Sequence, residues 1–130
     1  MPHIFQTRVY YEDTDAGGVV YHARYLNFME RARTELLLSF GYQEVMHEAA
    51  FIVREAKIEC LFPARLYDQL EVLTSIQSAN RLKVIFMHEV RSVSNPEIIF
   101  CRGEVTVVSI NDKIKPCRFS AELLNRIKEI

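Results

Sequence analysis

The segment Tyr10-Tyr11-Glu12-Asp13-Thr14-Asp15-Ala16-Gly17-Gly18-Val19-Val20-Tyr21-His22 concentrates the residue types that could do chemistry. Three acids fall within four positions, two of the chain's four glycines follow, and a histidine closes the stretch. A carboxylate can attack a carbonyl carbon or activate water, paired glycines admit a ligand to the backbone, and free N–H groups at a helix start stabilise an oxyanion. The same residues also suit an Asx-rich turn, in which carboxylates accept nearby backbone N–H groups and glycine takes positive φ. Residue types and spacing leave both readings open. His22 is open in the same way: it could cap the next helix or stack on Tyr25, or it could donate to a substrate carbonyl or shuttle a proton.

Other chemical motifs are weak or missing. His47-Glu48-Ala49-Ala50-Phe51 starts like a zinc-protease motif but has Phe51 where the second histidine belongs, so no metal site is expected. Phosphate-cradling glycine loops and a Gly-x-Ser-x-Gly elbow are absent. Arg65, Arg81, Lys83 and Arg102 suit either phosphate contacts or a solvated face. Glu30 is expected to pair with Arg33, three residues on along a helix. Cys60 reads as a core residue rather than a nucleophile. The three cysteines are an odd number without Cys-x-x-Cys, which suggests neither a disulfide framework nor a zinc site.

The elements that must position the loop follow from hydrophobic period. Residues 4–11 read as a strand. Over residues 23–40, Tyr25, Phe28, Met29, Ala32, Leu36 and Phe40 recur at spacings of three and four, which makes a helix with one apolar stripe. Leu26, Leu37 and Leu38 extend its apolar surface, so the helix should be well buried. Gly41 is placed for a left-handed cap, and residues 43–49 could form a short second helix. Beyond them the period becomes two. Strands are expected over 55–62, 70–76, 82–90 and 98–110, with turns at 78–81 and at Asn95-Pro96 and a close approach or bulge at Gly103. Ser120 should cap a terminal helix that carries Leu123, Leu124 and Ile127 on one face. Short turns imply antiparallel neighbours, hence an α+β fold with one sheet. One sheet covers only one side of so apolar a helix, which suggests that a second subunit covers the rest.

At 130 residues the chain is expected to be a single domain, spanning 1–130. A net charge of −1 argues against a nucleic-acid binder, and the apolar runs fall far short of the ~20 residues a membrane helix needs. The N-terminus lacks a charged and apolar leader pattern, so a cytoplasmic location is expected.

Residues 9–22, with Tyr25 and Glu30-Arg31-Ala32-Arg33-Thr34-Glu35, closely resemble the YbgC-type acyl-CoA thioesterases of the 4-hydroxybenzoyl-CoA thioesterase (hotdog-fold) superfamily. A looser likeness continues through 51–54, 63–68 and the later strands. The resemblance implies a long helix wrapped by a curved five-stranded antiparallel sheet, assembled as a homodimer or homotetramer. It implies hydrolysis of an acyl-CoA, with acyl carrier protein as a second potential partner, and no metal or cofactor. The catalytic aspartate of the family falls on Asp15, as nucleophile or general base. His22 occupies a position that is Tyr in aromatic-substrate relatives and His in the YbgC branch. The family is associated with the operon of the Tol–Pal envelope system, and links to phospholipid synthesis are suggested for it. On this reading Asp15 and His22 are catalytic, while Gly17, Gly18, Val19, Tyr21 and Tyr25 shape the substrate site and Glu12 and Asp13 position the loop. A non-catalytic acyl-CoA or acyl-carrier-protein binding module is the alternative, and a hydratase a third reading.

Overall fold

The computed structural model describes residues 2–39, 41, 50–111 and 113–128. Phe40 and the short helix expected over 43–49 lie outside them. Strand β1 (His3–Arg8) ends earlier than its β-favouring Val9-Tyr10-Tyr11 tail suggested. Tyr11–Asp13 instead form a 3-10 turn, because the Asp13 carboxylate reaches back to the Tyr10 N–H at 2.9 Å. Helix α1 (Arg24–Ser39) follows, and then β2 (Ala50–Cys60), β3 (Gln69–Ala79), β4 (Lys83–Ser92) and β5 (Ile99–Ile110). A two-residue β6 (Pro116–Cys117) and helix α2 (Ala121–Lys128) complete the chain.

The strands form one antiparallel sheet in the order β1-β3-β4-β5-β2, with β6 paired to the end of β5. Tyr25, Phe28, Met29, Ala32 and Leu36 are all buried, so the expected stripe is the face that α1 turns to the sheet. Around Phe28 and Met29 the core gathers Val9 and Val20 from the loop region with Leu70, Val72, Val90 and Phe100 from the strands. Phe86, Val105, Phe119 and Leu123 lie in a second cluster, where α2 packs. α2 is capped as expected, Ser120 Oγ accepting the Leu123 N–H at 3.1 Å. Gly103 is a close-approach point: a Cβ there would lie 2.5 Å from Met29 Sδ, so its missing side chain lets α1 settle onto β5. Gly41 takes φ +79°, the left-handed conformation expected past the helix end.

Three expectations need correction. Leu37 is buried, but Leu26 and Leu38 are 37% and 42% exposed, so one chain leaves part of the apolar surface of α1 uncovered. β2 starts at Ala50 rather than at 55, and as an edge strand it is wet on both faces along most of its length. Arg33 does not pair with Glu30. It turns inward, where its guanidinium donates to His88 Nε2 at 3.1 Å, and His88 Nδ1 meets Thr74 Oγ1 at 2.9 Å. All three residues are buried beneath the helix.

Burial, reinforced by the Arg33 charge, lowers the His88 pKa to about 3. The folded protein therefore holds this imidazole unprotonated, whereas the unfolded chain takes up a proton below about pH 6.5. His88 contributes stability that is fully present above 6.5 and is lost as pH falls toward 3, by up to about 1.4 kcal/mol per pH unit. Denaturant unfolding between pH 6.5 and 5, where most carboxylates stay ionised, should show a slope that His88→Gln flattens. An unchanged slope in that variant would contradict the assignment.

Candidate active site at the helix N-terminus

The loop ahead of α1 is built on a buried carboxylate. Asp13 is 2% exposed, one oxygen taking the Tyr10 N–H and the other taking Arg24 Nε at 3.0 Å. The Tyr21 N–H donates to the Asp13 carbonyl at 2.9 Å, tying the far side of the loop to the same residue. Asp13 thus has the positioning role expected of it. Glu12 stands 3.8 Å from Arg24 with an exposed side chain and adds little.

Between these anchors the chain reverses. The Gly18 N–H donates to the Asp15 carbonyl at 3.1 Å, and the Asp15 N–H donates to the Val19 carbonyl at 2.9 Å. This is a tight turn closed by a left-handed residue, and Gly18 at φ +77° supplies it. Asp15 Oδ1 accepts the Gly17 N–H at 2.8 Å, so the Asx turn that the sequence left open is present. The turn uses one carboxylate oxygen. Oδ2 has no hydrogen-bond partner among the described residues, and Asp15 is exposed. At Gly17 a Cβ would lie 3.2 Å from Asp15 Oδ1, a tight contact that the Asp15 side chain would have to shift by a few tenths of an ångström to relieve. Bridges from Thr14 to Val20 and from Val19 to Arg65 hold the turn against the segment after β2.

α1 begins with tightened bonds: Arg24, Tyr25 and Leu26 donate to the Tyr21, His22 and Ala23 carbonyls at 2.8, 3.3 and 3.2 Å. The N–H groups of His22 and Ala23 have no backbone acceptor among the described residues. They are the orphan donors of the helix start. The His22 side chain is exposed and its ring lies 4.6 Å from that of Tyr21, not against Tyr25, and it does not cap the helix.

A cleft of about 260 Å³ opens here, with Val20, His22 and Tyr25 on one side and Cys60, Leu61, Phe62 and Pro63 on the other. Burial pushes the Tyr25 hydroxyl up to about 12, with a hydrogen bond to the Ala64 backbone opposing the rise, so it stays protonated at neutral pH. His22 and Tyr25 are thus brought together in the cleft wall. Asp15, Gly17, Gly18 and Val19 sit in the adjoining turn rather than in the wall, and Tyr21 lies outside it against His22. Residues 60–63 were not foreseen as site residues. Cys60, expected in the core, is exposed and faces this cleft. A larger cleft of about 420 Å³ lies beside Arg54, Leu82 and Arg118, but its lining holds no acid or histidine. Of the four basic residues considered for phosphates, Arg81 donates to the Phe119 carbonyl at 3.2 Å and Arg102 pairs with Glu89 at 3.4 Å. No cluster of His, Cys, Asp and Glu suited to a metal ion occurs among the described residues.

Residues 9–127 match the thioesterase-like superfamily. The acyl-CoA thioester hydrolase YbgC of Escherichia coli O6:H1 is 43% identical over 126 residues, which span 94% of this chain and 92% of that protein. The chain belongs to the YbgC branch of this superfamily. The acyl-CoA thioesterase YbgC of Haemophilus influenzae is likewise 43% identical, covering 92% of this chain and 89% of its own length. The crystal structure of a probable thioesterase from Bartonella henselae superposes with a TM-score of 0.81 at 34% identity, over 92% of this chain and 98% of that one. The hotdog architecture and the thioesterase family expected from residues 9–35 are therefore borne out, and this YbgC-branch protein is a thioester hydrolase.

Removing the Asp13 carboxylate leaves Arg24 and the Tyr10 N–H without their shared acceptor. Asp13→Ala should cost about 1–3 kcal/mol in chemical denaturation, whereas Glu12→Ala should stay within about 0.5 kcal/mol. Equal effects of the two substitutions would contradict the anchoring role.

Proposed function

We propose that this enzyme hydrolyses an acyl-CoA to the free acid and CoA at the junction of the 13–22 loop and α1. The observation that carries the reading is the pairing of a free Asp15 carboxylate oxygen with orphan N–H groups at the adjoining helix start, beside a cleft with an apolar wall. The names of its relatives in Escherichia coli and Haemophilus influenzae support the substrate class.

In this mechanism the acyl group enters the cleft between Tyr25 and the 60–63 segment. The thioester carbonyl oxygen faces the His22 and Ala23 N–H groups, which stabilise the negative charge that develops when the carbonyl carbon is attacked. The helix dipole adds to the same field. Asp15 drives the attack as nucleophile or as the base that activates water, and CoA leaves as the thiol. Gly17 and Gly18 let the turn hold Asp15 outward, while the His22 ring, backed by Tyr21, borders the reacting carbonyl. An acyl-carrier-protein thioester presents the same reacting group and is a second potential donor. The three free cysteines suit the cytoplasmic location this reading assigns.

Asp15→Asn is a clean test, because an amide oxygen can still accept the Gly17 N–H while the charge and the nucleophile are lost. Thiol release from a panel of acyl-CoAs should fall by at least about 100-fold with thermal unfolding unchanged. Turnover like that of the unsubstituted enzyme would contradict the mechanism, and saturable acyl-CoA binding without thiol release by the parent protein would favour a binding module.

The reading extends to assembly as a homodimer or a homotetramer of such pairs. β2 presents an eleven-residue edge whose outer residues include Ile52 and Val53 at 41% and 48% exposure, and Leu26 and Leu38 of α1 are also uncovered. An open edge this long pairs readily with another strand. Light scattering should give the mass of two or four chains, and a proline at Val53 should shift it toward one chain; a monomeric parent protein would contradict the assignment.

A further inference from the structure

We propose that Cys60 and Cys101 form a reversible modification site, a dithiol that peroxide converts into a cross-strand disulfide in the wall of the cleft at the helix start.

The two residues are direct partners in the antiparallel pairing of β2 with β5. The Leu61 N–H, one residue beyond Cys60, donates to the carbonyl of Phe100, one residue before Cys101, at 2.8 Å. That arrangement makes Cys60 and Cys101 a non-hydrogen-bonded pair, the closer of the two antiparallel types, with Cα atoms roughly 4.5 Å apart. This falls within the range of about 4.4–6.8 Å that disulfides span. As direct cross-strand partners, both side chains leave the same face of the sheet, and Cys60 is near enough to raise the Cys101 pKa. Neither carries a chemical step of the proposed hydrolysis, although Cys60 stands in the wall of the cleft that takes the acyl group.

The pair is asymmetric in access. Cys60 is exposed and opens to the cleft, whereas Cys101 is 0% exposed and its thiol also lies 3.7 Å from the Arg102 carbonyl. Burial, with Cys60 beside it, pushes the Cys101 thiol up to about 12, whereas Cys60 is exposed and is the thiol that meets an oxidant first. The Cys60 thiolate attacks one peroxide oxygen, the O–O bond breaks, and the departing hydroxide takes up a proton to leave as water. Cys60 is then a sulfenic acid. Cys101 sulfur attacks the sulfenic sulfur, the S–O bond breaks, and the hydroxyl leaves as a second water with the Cys101 proton. Two thiols have lost two electrons to one peroxide, and an external thiol reverses the change by exchange. Cys117, the remaining cysteine, is half-buried with its sulfur 3.2 Å from Ser109 Oγ, and it serves as an internal control.

The full chain is treated with hydrogen peroxide, denatured, alkylated and weighed, with non-reducing peptide maps to locate the bridge. The expected product has lost about 2 Da, the mass of two hydrogens, and takes up one alkyl group where the reduced protein takes up three. Cys117→Ser should still bridge, and Cys60→Ser and Cys101→Ser should not. Three alkylated thiols after oxidation, Cys60 recovered as sulfinic acid with Cys101 alkylated, or a bridge between chains would each overturn the proposal. Because Cys60 lines the cleft, acyl-CoA hydrolysis should also fall several-fold on oxidation and recover with dithiothreitol, while Cys60→Ser is insensitive; a bridged protein with unchanged turnover would overturn that coupling. This last readout rests on the acyl-CoA reading. A reduced protein that releases no thiol would count against that reading alone, since the mass measurement stands without it.

Discussion

The buried carboxylate of Asp13 is the constraint on which the site depends. Its two oxygens join the end of β1, through the Tyr10 N–H, to the first residue of α1, through Arg24. Its carbonyl also receives the Tyr21 N–H, so three points of the chain converge on one residue. With both ends fixed, the residues between can close only as a tight turn, which faces Asp15 to solvent and leaves the helix start open. Two acids two positions apart thus have opposite environments. Asp13 is satisfied and enclosed; Asp15 is exposed, with one oxygen taken by the Gly17 N–H and the other without a hydrogen-bond partner among the described residues.

The rest of the fold holds this junction steady. α1 is held on the sheet by Phe28, Met29 and Ala32, and Gly103 gives Met29 the room it needs. One turn further on, Arg33, His88 and Thr74 replace an apolar layer with a chain of hydrogen bonds. Such a chain fixes the rotation of the helix more narrowly than apolar packing, because each donor has one acceptor in reach. Rotation of α1 would carry His22 and the orphan N–H groups out of line with the cleft. The segment after β2 completes the frame, as the Ala64 carbonyl takes the Val20 N–H at 2.8 Å and residues 60–63 wall the cleft.

Much of this was legible in the sequence. The stripe on α1, the caps at Gly41 and Ser120 and the close approach at Gly103 follow from local spacing and residue type, whereas Asp15 is set apart from its neighbouring acids by the family resemblance. What escaped was decided at longer range. Val9-Tyr10-Tyr11 favours a strand on propensity, but the backward reach of the Asp13 side chain bends it into a turn. Glu30 and Arg33 have the spacing of an ion pair, yet the position of Arg33 beside the buried stripe directs it to a histidine 55 residues away. Cys60 alternates like a core residue, but at the open end of an edge strand the core face becomes the cleft. No pattern within residues 50–65 shows that they pack against residues 20–25.

The most direct test of the account is a crystal structure with an acyl-CoA analogue in which a methylene replaces the thioester sulfur, so that the carbonyl is kept but cannot be hydrolysed. The carbonyl oxygen should lie within hydrogen-bond reach of the His22 and Ala23 N–H groups, with the Asp15 carboxylate addressing the carbonyl carbon and the acyl chain running toward residues 60–63. A carbonyl seated elsewhere, such as in the larger cleft beside Arg54 and Arg118, would contradict it.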